Sequence, residues 1–192
     1  GGTRRGANMG ILRVDHPDIL DFIRAKEKEG EFNNFNLSVG LTEAFMQAVE
    51  KDEHYDLRAP NTGEVVDRLR DVFDLLVKKA WQSGDPGIVF LDRINRDNPT
   101  PDQGEIESTN PCGEQPLLPF EACNLGSINL ACFYLPGHND DADPARDGID
   151  WAELRRVVHL SVRFLDNVID ASLFPLPRIA ETVRKNRKIG LG

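Results

Sequence analysis

Five prolines fall within residues 92–119 of this chain, at positions 99, 101, 111, 116 and 119. Each sets its own φ and removes a backbone N–H, so neither a long helix nor a central strand can run through the segment. An irregular stretch of that length is uncommon inside a compact domain unless it serves a function. The sequence on either side must therefore supply the scaffold, and its hydrophobic pattern says of which kind.

Residues 1–10 read as a glycine-rich loop carrying Arg4 and Arg5. Ile11, Leu12 and Val14 suggest a short strand. Asp15 is placed to cap a helix with Pro17 in its first turn and Ile19, Phe22 and Ile23 on one face. Phe35, Leu37 and Val39 alternate with Asn34, Asn36 and Ser38, the period of a half-buried strand. Thr42 caps a short helix bearing Phe45, Met46 and Val49. Residues 51–63 read as a polar loop. Over 64–83 the stripe Leu69, Val72, Phe73, Leu76 and Ala80 predicts one amphipathic helix. Gly84-Asp85-Pro86-Gly87 ends it, and 88–91 is a short apolar run expected to be a buried strand.

Beyond the proline-rich segment, 127–133 has strand character and 136–148 is an acidic, solvated loop. Asp150 with Glu153 opens a long helix in capping-box fashion. Leu154, Val157, Val158, Val162, Leu165 and Val168 are expected to face inward, with Phe73 and Phe164 in the core. Pro175 and Pro177 stop that helix. A shorter one around Ile179 and Val183 ends in the basic run 184–188, which suits a helix C-terminus. Ile189 starts another strand. Strands alternating with helices make the fold class α/β.

Composition narrows the function classes. With 23 Lys plus Arg against 32 Asp plus Glu, the chain carries a net charge of −9, which argues against a nucleic-acid coat. At 40% hydrophobic and 29% charged it is globular rather than disordered. No run approaches the ~18 apolar residues of a membrane helix. Three cysteines cannot close into a paired disulfide framework. A cytoplasmic location is expected, with neither nucleic acid nor membrane as partner.

The chemistry concentrates at Asn110, Cys112 and Glu114, spaced by two. In an extended segment that spacing puts an amide, a thiol and a carboxylate on one side. A thiol can act as nucleophile or radical carrier, a carboxylate as general base, and an amide can orient a hydroxyl. Pro111 and Gly113 suit a tight loop tip. Other readings stay open. Cys112 can be a lone structural thiol. Cys112, Cys123, Cys132 and His138 could form a non-catalytic zinc module, although spacings of 11, 9 and 6 lack the close pairs of structural zinc sites. Nothing marks His54 or His159 as the base of a Cys–His pair.

The segment Asn-Pro-Cys-Gly-Glu-Gln-Pro-Leu (110–117), followed by Ala-Cys-Asn-Leu-Gly-Ser-Ile-Asn-Leu (122–130), closely resembles the active-site finger loop of ribonucleotide reductase catalytic subunits. The likeness is greatest to the adenosylcobalamin-dependent class II. Gly-Gly-Thr-Arg-Arg-Gly-Ala-Asn-Met (1–9), Phe-Asn-Leu-Ser-Val (35–39) and Arg-Lys-Ile-Gly-Leu-Gly (187–192) resemble the same family in the same order. The resemblance covers essentially the whole chain.

It implies a ten-stranded α/β barrel, shared with glycyl-radical enzymes, that encloses a cysteine finger loop. Residues 1–192 would be a central piece of that barrel domain, incomplete at both ends and inactive alone. It implies reduction of ribonucleotides to deoxyribonucleotides, with a thiyl radical on Cys112, Glu114 taking the 3′-hydroxyl proton and Asn110 holding the substrate hydroxyls. Pro111 and Gly113 would line the substrate. Cys123 would be one thiol of a redox pair whose partner lies upstream, which leaves Cys132 as a buried small hydrophobe. The loop with Arg4 would be the specificity loop, Arg4 touching the substrate base. Implied with these are a cobalamin site outside this chain, a ribonucleoside di- or triphosphate substrate, deoxynucleotide and ATP effectors, a thioredoxin- or glutaredoxin-type reductant and a homodimer. The class I large subunit, which shares the Asn/Cys/Glu logic, is the nearest alternative.

Overall fold

The structure is a computed structural model that describes residues 6–28, 30–135 and 148–192. The chain divides into two compact units, Gly1–Pro119 and Phe120–Gly192. Arg4, His138 and most of the acidic loop lie outside the described residues.

The first unit is built on a parallel sheet of three strands in the order β1 (Asn8–Arg13), β2 (Phe35–Leu41), β5 (Gly87–Phe90). Central β2 is buried from Leu37 to Leu41, the continuous burial expected of a parallel strand covered on both faces. At Gly40 a Cβ would lie 2.5 Å from Cδ1 of buried Leu91, so a side chain there would have to displace Leu91. Helices α1 (Ile19–Arg24), α2 (Glu43–Glu50) and α3 (Val72–Ser83) complete the core, in which Val14, Ile19, Val39, Leu41, Phe45 and Leu76 are buried together. Thr42 caps α2 as expected, its Oγ1 accepting from Phe45 N at 3.2 Å. The same oxygen bonds the Tyr55 hydroxyl at 2.9 Å, and the Tyr55 ring meets Phe45 edge-on.

Several local expectations are corrected. Asp15 does not cap α1, which starts at Ile19; its carboxylate instead holds Arg13 at 3.0 Å, and its carbonyl accepts from Arg58 N. The polar stretch 51–63 contains strand β3 (Tyr55–Arg58), and the supposed helix over 64–83 starts as its antiparallel partner β4 (Val65–Leu69). Leu69 pairs with Tyr55 across that ladder. Two adjacent β-branched residues and a partner strand outweigh the helical period there. Residues 92–119 are less irregular than the prolines suggest. They hold the rest of α4 (Leu91–Arg96), a 3₁₀ turn (Pro101–Gln103) and a hairpin of β6 (Ser108–Thr109) with β7 (Pro116–Leu117).

In the second unit, β8 (Asn124–Gly126) runs parallel to β9 (Ile189–Leu191), with α5 (Trp151–Ala171) and α6 (Pro177–Asn186) between them in sequence. The strand expected over 127–133 is displaced: β8 precedes it, and Leu130–Phe133 is a 3₁₀ turn capped by Asn129 Oδ1. Asp150 caps α5 at 2.9 Å through Glu153 N. The Glu153 carboxylate turns to Arg156 instead of closing the box. Leu165 and Ile169 are the buried residues of α5. Phe164, expected in the core, is 65% exposed, and Val162 is exposed too. At the end of α6, Arg187 takes a left-handed backbone and bonds Asp166 at 2.7 Å and Asp170 at 2.9 Å.

Candidate active site

The β6–β7 hairpin carries Asn110, Pro111, Cys112, Gly113 and Glu114 at its tip. Its base is anchored by buried Ile106, Thr109 and Leu118. Asn95 near the end of α4 grips the entering strand. Its Nδ2 donates to Ile106 O at 2.9 Å and its Oδ1 accepts from Ile106 N at 2.7 Å. Nδ2 also reaches Leu91 O at 3.1 Å. One amide side chain thus replaces a missing strand partner at Ile106. Nothing in a single Asn within a polar helix end marks that role in the sequence.

At the tip the backbone turns rather than extends. Gly113 N donates to Asn110 O at 3.0 Å, closing a four-residue turn. Gly113 follows at φ +85°, a conformation that disfavours any side chain. Asn110 closes the loop twice more: its N donates to Gln115 O at 3.2 Å and its Oδ1 accepts from Gln115 N at 3.0 Å. The extended backbone assumed in the period-two argument is therefore not found. Asn110, Cys112 and Glu114 instead share one closed backbone loop. Asn110 is half-buried, while Cys112 and Glu114 are exposed.

Beside this tip lies a cleft of about 500 Å³ between the hairpin and the start of the parallel sheet. Its walls include Asn36 and Ser38 of β2, Asp85, Gly87, and Pro111, Cys112 and Gly113 of the turn. Asn110 and Glu114 belong to the turn but are not among the cleft's lining residues. Asp85 takes the Lys26 ammonium at 2.8 Å and also accepts from Leu37 N at 3.3 Å, which fixes the edge of the cleft. Gly87 keeps the wall open, since a Cβ there would stand 2.9 Å from Ser38 Oγ. Asn36 sends its Nδ2 to the Pro111 carbonyl at 2.5 Å.

Cys123 is half-buried and immediately precedes β8 in the second unit. Two residues before it, the Glu121 side chain is fully buried; Lys188 Nζ lies 2.6 Å from its Oε2 and Asn186 Nδ2 2.8 Å from its Oε1. The segment leading to Cys123 is thus tied to the residues just before β9. Cys132 is exposed on the 3₁₀ turn, so the expectation of a buried small hydrophobe is corrected. The same turn buries its neighbour Phe133 instead. Among the described residues no three His, Cys, Asp or Glu side chains come together as a metal site, and His138 of the zinc reading lies outside them. Also among the described residues, no helix is long and apolar enough to cross a membrane.

Fold and site together describe an α/β domain that presents a cysteine on a pinned hairpin turn beside a cleft. Along residues 1–192 the chain matches the family described as ribonucleotide reductase, barrel domain, and it belongs to that family. It is 49% identical over 195 residues to a vitamin B12-dependent ribonucleoside-diphosphate reductase of Thermoplasma acidophilum, covering 100% of this chain and 24% of that protein. Identity to the protein of the same name from Mycobacterium tuberculosis strain H37Rv is 52%, covering 100% of this chain and 26% of that protein. A vitamin B12-dependent ribonucleotide reductase of Streptomyces clavuligerus is 36% identical over 217 residues, covering 100% of this chain and 22% of that protein. The chain spans about a quarter of the length of these curated relatives.

Proposed function

We propose that the protein containing this chain reduces ribonucleoside diphosphates to 2′-deoxyribonucleotides by radical chemistry at Cys112. The observation that carries the reading is the closed turn that presents Cys112 to a cleft, with Asn110 and Glu114 in the same loop. In this reading a Cys112 thiyl radical takes the hydrogen atom from C3′ of the ribose. The Glu114 carboxylate takes the 3′-hydroxyl proton as the 2′-hydroxyl, protonated by one of two redox thiols, leaves as water. Those thiols, Cys123 and a second outside this chain, supply two electrons and two protons in all, the second proton going with an electron to C2′ as a hydrogen atom, and become a disulfide, while Glu114 returns its proton to the 3′ oxygen as the second electron reduces C3′. The hydrogen atom then returns from Cys112 to C3′, which regenerates the thiyl. Asn110 holds the ribose hydroxyls, and Pro111 and Gly113 pack against the sugar. Arg4 contacts the base from the specificity loop.

The names of the relatives support adenosylcobalamin over a class I radical source, and those near 50% identity support a diphosphate substrate. No residue of this chain is assigned to hold the corrin, and the steps above depend only on the thiyl it would generate. The enclosing structure would be the ten-stranded barrel, with the hairpin as its finger. Deoxynucleotide and ATP effectors, a thioredoxin- or glutaredoxin-type reductant, a homodimer and a cytoplasmic location belong to the same reading.

The test is deoxyribonucleotide formation by the full-length protein with adenosylcobalamin and a dithiol. Cys112→Ser is expected to abolish it. Cys123→Ser is expected to stop multiple turnover with the dithiol while leaving Cys112 in place. Parental turnover by Cys112→Ser would refute the reading.

A further inference from the structure

The peptide between Pro111 and Cys112 is the central peptide of the four-residue turn. Turns of types I and II differ by a half rotation of that peptide, and Pro in the second position is compatible with both. A rotation there would change φ of Cys112 and swing its Cβ and thiol away from their present direction. Cys112 is not among the described non-glycine residues with positive φ, so the turn sits in the type I arrangement. The bonds from Gly113 and Gln115 to Asn110 close the loop but leave this central peptide free to rotate.

The remaining constraint comes from outside the hairpin. Asn36 Nδ2 donates to the Pro111 carbonyl, the oxygen of that same peptide, at 2.5 Å. Asn36 itself sits on a firm support. It lies in β2 in register with Met9 of β1, and the next residue is tied through Leu37 N to Asp85, which Lys26 holds in turn. A strand paired in a sheet positions a side chain more accurately than a loop does.

Building on the reading of Cys112 as the radical residue, we infer that Asn36 is a positioning residue that locks the Pro111–Cys112 peptide and so aims the Cys112 thiol. It makes no claim on substrate. Hydrogen-atom transfer requires close, aligned approach, and small misplacements cost large factors in rate.

The experiment compares Asn36→Asp with Asn36→Gln in the full-length protein. Asp is isosteric but sets an oxygen against the Pro111 carbonyl, while Gln keeps an amide donor. For Asn36→Asp, kcat is expected to fall about 10- to 100-fold with KM within about twofold, and Asn36→Gln to recover most of that loss. Parental kcat in Asn36→Asp, an equal loss in both variants, or a rise in KM alone would overturn the inference.

Proton NMR gives a readout independent of activity. In Asn36→Asp a strong nuclear Overhauser contact is expected between Pro111 Hα and the Cys112 amide proton, which the type II arrangement brings close and the type I arrangement does not, with the exchange of the amides of 38–41 in β2 unchanged. Faster exchange along β2, or an unchanged contact in the turn, would overturn the inference. If the parent itself forms no deoxyribonucleotide, the proposed function fails, and the NMR result alone decides the role of Asn36.

Discussion

Replacing Asn95 by Ala tests how the hairpin that carries Cys112 is held. The substitution leaves the Ile106 N–H and C=O, on a residue only 3% exposed, without their partners at 2.7 and 2.9 Å. Orphaning a buried backbone group costs about 1–3 kcal/mol. The third bond, to Leu91 O, matters less, because a helix carbonyl has its own intrahelical donor. Two orphaned groups at this buried residue sum to about 2–6 kcal/mol of local stability. That corresponds to roughly 30- to 20,000-fold faster opening-limited exchange at the Ile106 amide. Hydrogen exchange in the full-length protein reads this directly. Asn95→Asp separates the two bonds. It keeps an acceptor for the Ile106 N–H but loses the donor to the Ile106 carbonyl, so that amide is expected to be less protected than in the parent and more protected than in Asn95→Ala. An unchanged Ile106 exchange rate in Asn95→Ala would refute the idea that Asn95 stands in for a strand partner.

Two further outcomes follow from the second unit. Lys188→Met leaves the buried Glu121 carboxylate with its Asn186 bond but without the ammonium, and is expected to cost about 3 kcal/mol, read as faster exchange at the Ile128 and Gly192 amides. Arg187 holds both Asp166 and Asp170 below the usual carboxylate range through hydrogen bonds. A depressed folded-state pKa contributes stability at pH values above the unfolded one and loses it as pH falls through the folded value. Arg187→Gln is therefore expected to be less stable than the parent at neutral pH, with the difference shrinking below about pH 4, as acid melts of the two proteins would show. A difference independent of pH would refute the assignment.

How much of this was legible in the sequence depended on the range of the interaction. Thr42 and Asp150 were recognisable as caps because a cap bonds within three residues along the chain. Strand β2 was recognisable from its alternation, but the half-burial that alternation implied is corrected: Ser38 and Gly40 are buried along with Leu37, Val39 and Leu41. The exchange of helix for strand over 65–69 was hidden, since Leu69 fits a helical stripe equally well until its partner Tyr55 is known. The set at 110, 112 and 114 stood out by residue type. Its backbone did not, because spacing suggested extension and the backbone instead closes a turn through Asn110 and Gln115. Phe164 was assigned inward on hydrophobicity and Cys132 as the thiol left without a role, and both are exposed.

By itself, then, the sequence determined the α/β class, the caps at Thr42 and Asp150, the turn residues and the family likeness carried by ordered motifs. These rest on local backbone preference and on residue identity. Only the tertiary structure decided that Asn36, 75 residues away, holds the peptide before Cys112, that Asn95 holds the hairpin base, and that Lys188 meets buried Glu121. Those are contacts between polar groups distant in sequence. A polar side chain carries no periodicity that would point to its partner, so folding alone brings the pair together.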